Sequence, residues 1–471
     1  MLAGMAAERS RKSDAVFLVA GLTLYALGAA AAGRLGITAL LARLAGVALL
    51  AAFALRRRSL TVWIFWAMAA GIELGLDAPH VALSLRVLSD IFLRLIKVIV
   101  APLILGSLIT GIAGHGELRT VGRLGLTSIV YFEVLTTIAL VIGLAAINLS
   151  KAGVGLQTAP AVQVSSAQAP APPASGQLSW QQFLVRIFPE SIVKSMAENQ
   201  ILEVAVFAIL FGLALGRLSE ERRAPMVRLA ESLTETMFAF TNLVMYFAPF
   251  GVGAALAFTV ANSGLGVMVH LGKLIATLYL ALIAFALLAM LPAALIAGVP
   301  VREFIRAVAE PATIAFATST SEAALPRAME AMEAFGVPRR IVGFVIPTGY
   351  SFNLAGSALY LALASMFVAQ AAGMHMSLGQ QLAMLGTLML TSKGVAGVPR
   401  AVLVVLLATS SVFGLPEGPI FVILGVDAVM DMGRTAINVI GNCLAAAVVA
   451  RWEGAFRVEA PAQVAMAALD E

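Results

Sequence analysis

The chain has 471 residues, of which 60% are hydrophobic and 12% charged, with a mean hydropathy of +0.95. Soluble domains are roughly 45–50% apolar and about 25% charged, so a water-soluble protein is excluded. The net charge of +5 gives no reason to invoke nucleic acid, and the single cysteine, Cys443, excludes an internal disulfide.

At roughly 20 apolar residues per bilayer crossing, the many long apolar stretches describe a polytopic all-helical membrane protein. Runs such as 138–147 and 280–291 are apolar on every face, whereas the strands of a membrane barrel alternate. Four scattered histidines, His80, His115, His270 and His375, lack metal-ligand spacing, so no resident metal or other cofactor is expected.

The N-terminus, Arg9 to Lys12 followed by 15–32, has the outline of a signal peptide. A second apolar segment, 37–55, follows at once and ends in Arg56-Arg57-Arg58. The pair therefore reads as a two-helix hairpin with both ends cytoplasmic. From Leu60 the expected spans are 60–76, 85–113, 121–148, 200–217, 233–261 and 265–298. Between the third and fourth, residues 157–176 are rich in Ala, Pro, Ser and Gln. They carry too little patterned apolar surface to pack, which predicts a flexible loop over 150–198.

The last third behaves differently. Segments 307–317 and 323–337 are too short to cross and flank Thr318-Ser319-Thr320-Ser321-Glu322, while 381–390 and 401–415 flank Thr391 to Pro399. Backbone left unpaired in lipid costs several kcal/mol per group, so irregular backbone at depth must be buried in protein or line a cavity. The pattern predicts two re-entrant hairpins with polar tips. Each is followed by an interrupted span, 340–372 and 420–452. A hairpin plus a broken helix, occurring twice, is what a repeat-built secondary transporter shows.

The final span holds Asp427, Asp431, Arg434, Thr435, Asn438 and Asn442 in otherwise apolar sequence. At 3.6 residues per turn these fall within an arc of about 100°. Ionisable residues at the bilayer centre need a partner, water or substrate. An Asp431–Arg434 structural pair is the plainer alternative, but it leaves the shared face of Thr435, Asn438 and Asn442 unexplained. In the preceding broken span, Pro347 to Ser357, Gly349, Gly356 and small polar residues permit a non-helical break whose carbonyls can ligate a cation or substrate.

Four segments, Thr318 to Pro326, Asn353 to Ser357, Gly394 to Pro399 and Asp431 to Asn438, resemble the signatures of the dicarboxylate/amino acid:cation symporter family, the glutamate transporters. The resemblance runs from about Leu60 to Gly454 and leaves residues 1–58 outside as an extension. It implies eight transmembrane spans plus two re-entrant hairpins in inverted repeats, a homotrimer, and a transport domain that moves as an elevator. Residues 59–300 would be mainly scaffold, with the third and sixth spans joining the transport core at 301–454, and 455–471 a tail. Carried over, Arg434 binds the substrate's side-chain carboxylate and Asp431 its amino group. Ser321, Thr320, Ser357, Thr435, Asn438 and Val398 complete the substrate contacts, with 396–399 as the gate. An arginine fork suits a carboxylate, and a buried carboxylate suits an ammonium.

Four-carbon dicarboxylate carriers resembling this chain generally lack an acid matching Asp431, so an acidic amino acid, glutamate or aspartate, is the better expectation. In the sodium-driven members carboxylates occupy the positions matched by Ala355 and Asn442, so the Na⁺ sites look degraded and protons are the expected coupling ion. Candidate coupling residues are Glu133, Thr136, Thr137, Glu322, Gly349, Asn353 and Asn442. Of these, Glu133 and Glu322 can take a proton, since burial disfavours the ionised carboxylate. Structural pairing of Glu133 with a basic neighbour and of Glu322 with Lys393 is the competing account; Lys393 or Arg400 could also supply positive charge at the site. The expected location is a bacterial-type inner membrane. An uncoupled anion pore needs no symmetric hairpins, and no nucleophile–base–orienter set points to an enzyme.

Overall fold

The computed structural model describes residues 16–28, 37–57, 59–113, 121–156, 185, 188–198, 200–392, 401–416 and 418–456. Among these residues every regular element is helical. An extension pair, α1 (Val16–Gly28) and α2 (Ile37–Arg57), precedes α3 (Leu60–Asp77) and the short α4 (Pro79–Ser84). Then come α5 (Arg86–Ala113), α6 (Val121–Ser150), α7 (Ile192–Ala197), α8 (Ile201–Leu215), α9 (Glu220–Met245) and α10 (Ala248–Ser263). The helix α11 (Gly266–Ile296) contains a π turn at Ala286–Met290. Pro292 stands just beyond that turn; it donates no backbone hydrogen bond and its ring crowds the preceding turn.

The remaining helices come in short pairs. They are α12 (Val301–Thr318) with α13 (Ser321–Ala334), α14 (Arg339–Phe352) with α15 (Ala355–Ala371), α16 (Leu378–Thr391) with α17 (Ala401–Val412), and α18 (Gly418–Leu424) with α19 (Asp427–Trp452). Local signals set several boundaries. Ser377 accepts from Gln380 N and receives the Gln380 side chain on its own N–H, a capping box that starts α16. Ser319 takes a left-handed conformation at φ 54° and stops α12, so the turn to α13 needs only Ser319 and Thr320. That tip is shorter than the five-residue Thr318 to Glu322 expected from sequence.

Among the described residues, seven helices are long and apolar enough to cross a membrane, or eight if α9 and α10 count as one span bent by 53°. The bend falls where Pro249 opens α10 and cannot donate to the preceding turn. Two expectations change in detail. The fifth span begins at Glu220 rather than 233, and α8, with 15 residues, is shorter than the expected crossing at 200–217. Part of the expected flexible loop is also structured: Ser191 caps α7, and Ser195 Oγ donates to Glu203 Oε2 at 2.6 Å. Residues 157–184 lie outside the described residues, as do Arg9 to Lys12, Arg58 and the second polar tip at 393–400.

The helix α15 is apolar all round and buried along nearly its whole length, as a core helix must be. It packs on α6 and on α19, which in turn meets α11, α12, α13 and α14. A second group forms around α5, which packs on α8, α9 and α10, with α3 against α10. The polar stripe of α19 thus faces the helix breaks of α14–α15 rather than lipid.

Candidate functional site

The site forms where two broken helices meet. The first break is confined to Asn353 and Leu354, between α14 and α15; the second is Gly425 and Val426, before α19. Breaking α15 at its start leaves its first N–H groups without intrahelical acceptors. Asn438 of α19 supplies one: its Oδ1 accepts from Gly356 N at 2.8 Å and Ser357 N at 3.3 Å, while its Nδ2 donates to Ser357 Oγ at 2.9 Å. Asn353 Nδ2 donates to Asn442 Oδ1 at 3.0 Å. The two expected glycines allow these contacts. A methyl group on Gly349 would fall 2.4 Å from Asn442 Oδ1, and one on Gly356 would fall 2.5 Å from the Arg434 carbonyl oxygen. Both glycines are helical here, so they permit close approach of α19 rather than form the break itself.

Above this junction lies a charged cluster. Arg434 is fully buried; its Nε donates to Asp431 Oδ1 at 2.8 Å and its Nη1 to Asp427 Oδ1 at 2.9 Å. Its guanidinium stacks over the Tyr360 ring at 4.3 Å, and Tyr360 Oη donates to Asp427 Oδ1 at 3.0 Å. Thr435 Oγ1 donates to Asp431 Oδ1 at 3.2 Å. Arg434 Nη2 and Asp427 Oδ2 are buried with no hydrogen-bond partner among the described residues. Two carboxylates around one guanidinium give a formal local charge of −1, and the Nη2 end of the guanidinium is left without a partner among the described residues. The Asp431–Arg434 pair weighed from sequence is therefore present, within a larger network. The sequence places Asp427 in the polar stripe without a binding role and does not single out Tyr360. The signal for Asp427 is its spacing of seven from Arg434, two turns on the same face; Tyr360 has no comparable sequence signal.

The other expected residues are placed as follows. Ser321 is buried at the start of α13, which packs on α19, and Thr320 is its N-cap residue. Glu322 is exposed in the first turn of α13. Glu133 is half-buried and Thr136 buried on α6, where Thr137 Oγ1 donates to the Glu133 carbonyl at 2.7 Å and meets Met389 Sδ of α16 at 3.7 Å. Ala355 is buried in the first turn of α15 and places no carboxylate beside Asn353 and Asn442. Val398, Lys393 and Arg400 lie outside the described residues.

Residues 60–452 match the family model of the sodium:dicarboxylate symporter family. The chain belongs to that family. It is a multi-pass membrane protein of a transporter family, not an enzyme, and the broken helices and charged cluster all fall inside the matched region. Three relatives of this symporter family member frame its chemistry. It is 41% identical over 409 residues to a proton/glutamate-aspartate symporter of Escherichia coli (strain K12), covering 84% of this chain and 94% of the relative. It is 40% identical over 410 residues to a proton/sodium-glutamate symport protein of Bacillus caldotenax, covering 86% and 97%. It is also 41% identical over 403 residues to a C4-dicarboxylate transport protein of Solibacter usitatus (strain Ellin6076), covering 84% and 93%.

Proposed function

We propose that this chain is a homotrimeric symporter of a bacterial inner membrane that imports glutamate or aspartate with protons. Its two hairpins are re-entrant, and its core moves as an elevator. The observation that carries the reading is Arg434, fully buried between Asp427 and Asp431, with Nη2 lacking a partner among the described residues. A substrate carboxylate docks on that donor, and Asp431 receives the substrate ammonium. Asn438, one turn along α19 from Arg434, and Ser357, at the start of α15, flank the main-chain carboxylate. The local charge explains why cations accompany the substrate. The described cluster sums to −1 and glutamate brings a further −1, a total that a low-dielectric site cannot hold uncompensated.

The same sum separates the substrates. A four-carbon dicarboxylate brings −2 and has no ammonium for Asp431, so the C4-dicarboxylate reading, favoured by the relative of that name, ranks second. Protons are favoured over Na⁺ because the Asn353–Asn442 junction offers amides, and Ala355 offers nothing, where a sodium ion would profit from carboxylates. Glu133 and Glu322 are the candidate proton carriers. The test is a substrate panel in proteoliposomes with Na⁺ and pH gradients imposed separately. Saturable glutamate counterflow, together with net glutamate uptake driven by an inward proton gradient, supports the reading. Succinate exchange without glutamate exchange overturns the substrate, and flux without exchange overturns the carrier.

A further inference from the structure

The family match begins at residue 60, and the two helices before it form a built assembly with α3. A methyl group on Gly46 of α2 would fall 2.8 Å from Gly21 O and Tyr25 N of α1, and one on Gly28 would fall 2.7 Å from Arg43 Cγ. Small residues of this kind let helices pack closely in lipid. Trp66 Nε1 of α3 donates to the Val47 carbonyl of α2 at 3.2 Å. Within the two spans, Arg43 Nη2 donates to Asp77 Oδ1 and Oδ2 at 3.0 and 3.3 Å, and Arg43 Nε stands 3.4 Å from Glu73 Oε2. Arg43 is 9% exposed and Glu73 5%.

The acids belong to the family region and the cation comes from outside it. On its other side α3 packs against α10, whose residues Ala248–Ser263 include no charged side chain. A carboxylate buried within a span is costly without a partner, and so is an arginine. Separating α2 from α3 would strand both at once. Motion of the hairpin relative to α3 is therefore opposed by charge as well as by packing.

We infer that the N-terminal hairpin is an ion-pair-locked part of the frame around α3 and stays on α3 while the substrate-bearing helices move. The lock stands on the contacts above, whereas its behaviour during transport rests on the function proposed in the preceding section.

Two measurements on the full chain separate these parts. For the lock, Arg43→Leu lowers the melting midpoint in detergent, and adding Glu73→Leu with Asp77→Leu restores most of the loss. Removing one partner of a buried pair is destructive, whereas replacing the whole set by apolar groups is tolerated. An unchanged midpoint in Arg43→Leu overturns the lock, as does failure of the triple variant to recover. For the cycle, Val47→Cys with Trp66→Cys is joined by a short thiol linker; native Cys443 is fully buried. Joined protein exchanges glutamate within about twofold of the unjoined variant, because the two helices keep their spacing. A tenfold loss on joining overturns the claim that the hairpin rides with α3. Absence of exchange in the wild type instead refutes the proposed function, and the melting comparison still reads the lock.

Discussion

At the scale of single residues, the site depends on one guanidinium held by two acids and a ring. Arg434→Ala strands Asp427 and Asp431 in a buried site, and breaking such a pair costs about 3–5 kcal/mol. Substrate affinity is expected to fall at least a hundredfold by equilibrium binding, since ~1.4 kcal/mol is a factor of ten. Asp431→Ala is expected to weaken glutamate and aspartate while sparing succinate and malate, because only the amino acids carry an ammonium. Unchanged glutamate affinity in both variants removes the site assignment. Tyr360→Phe separates orientation from charge: it keeps the ring under Arg434 but deletes the hydroxyl that donates to Asp427. A buried hydrogen bond contributes about 1 kcal/mol, so affinity is expected to drop several-fold by titration calorimetry, and Tyr360→Leu, which also loses the ring, is expected to lose more.

At the scale of elements, the junction of α15 with α19 is the part most sensitive to volume. Gly356→Ala pushes a methyl into the Arg434 carbonyl oxygen, and overpacking of this kind costs about 1–3 kcal/mol. The expected result is a lower melting midpoint together with weakened substrate binding, because the same contact positions Arg434. Wild-type melting and binding in that variant would mean the two helices part readily. The polar stripe of α19 is legible in the sequence because a helical period converts spacing into a face, and its cost in lipid demands a reason. The positions of both broken spans are legible too, because glycines and small polar residues interrupt apolar runs there. What the stripe meets is not legible. Asn438 caps α15 from 82 positions away, and no periodicity links those segments. The sequence also places Gly349 and Gly356 as breakers, whereas they act by letting α19 approach; spacing alone cannot tell a glycine needed for conformation from one needed for room. The bend between α9 and α10 is hidden for the opposite reason, since apolar sequence continues through Pro249.

At the scale of the whole molecule, the question is which cation balances the substrate. Glutamate enters with one net negative charge, and an inside-negative membrane potential opposes it by ~2.3 kcal/mol per 100 mV. Inward accumulation therefore needs more than one accompanying positive charge if the potential is to assist rather than resist. The curated relatives are named both for protons alone and for protons with sodium, so kinship leaves the choice to the residues. Asn353 and Asn442 hold each other through amides, Ala355 contributes no oxygen from its side chain, and the candidate proton-carrying acids outside the Arg434 cluster are Glu133 on α6 and Glu322 on α13. Glu322 is exposed at the turn between α12 and α13, and Glu133 is half-buried on α6. In sodium-free proteoliposomes an inward proton gradient is expected to drive glutamate accumulation, and an inward Na⁺ gradient at equal pH is expected to drive none. Glu322→Gln and Glu133→Gln are each expected to preserve substrate binding; at least one is expected to abolish proton-driven accumulation while leaving exchange intact, since exchange returns the carrier loaded and needs no net proton release. Accumulation that requires Na⁺ and ignores the pH gradient overturns proton coupling; proton-driven accumulation that survives in both variants overturns only the choice of carriers.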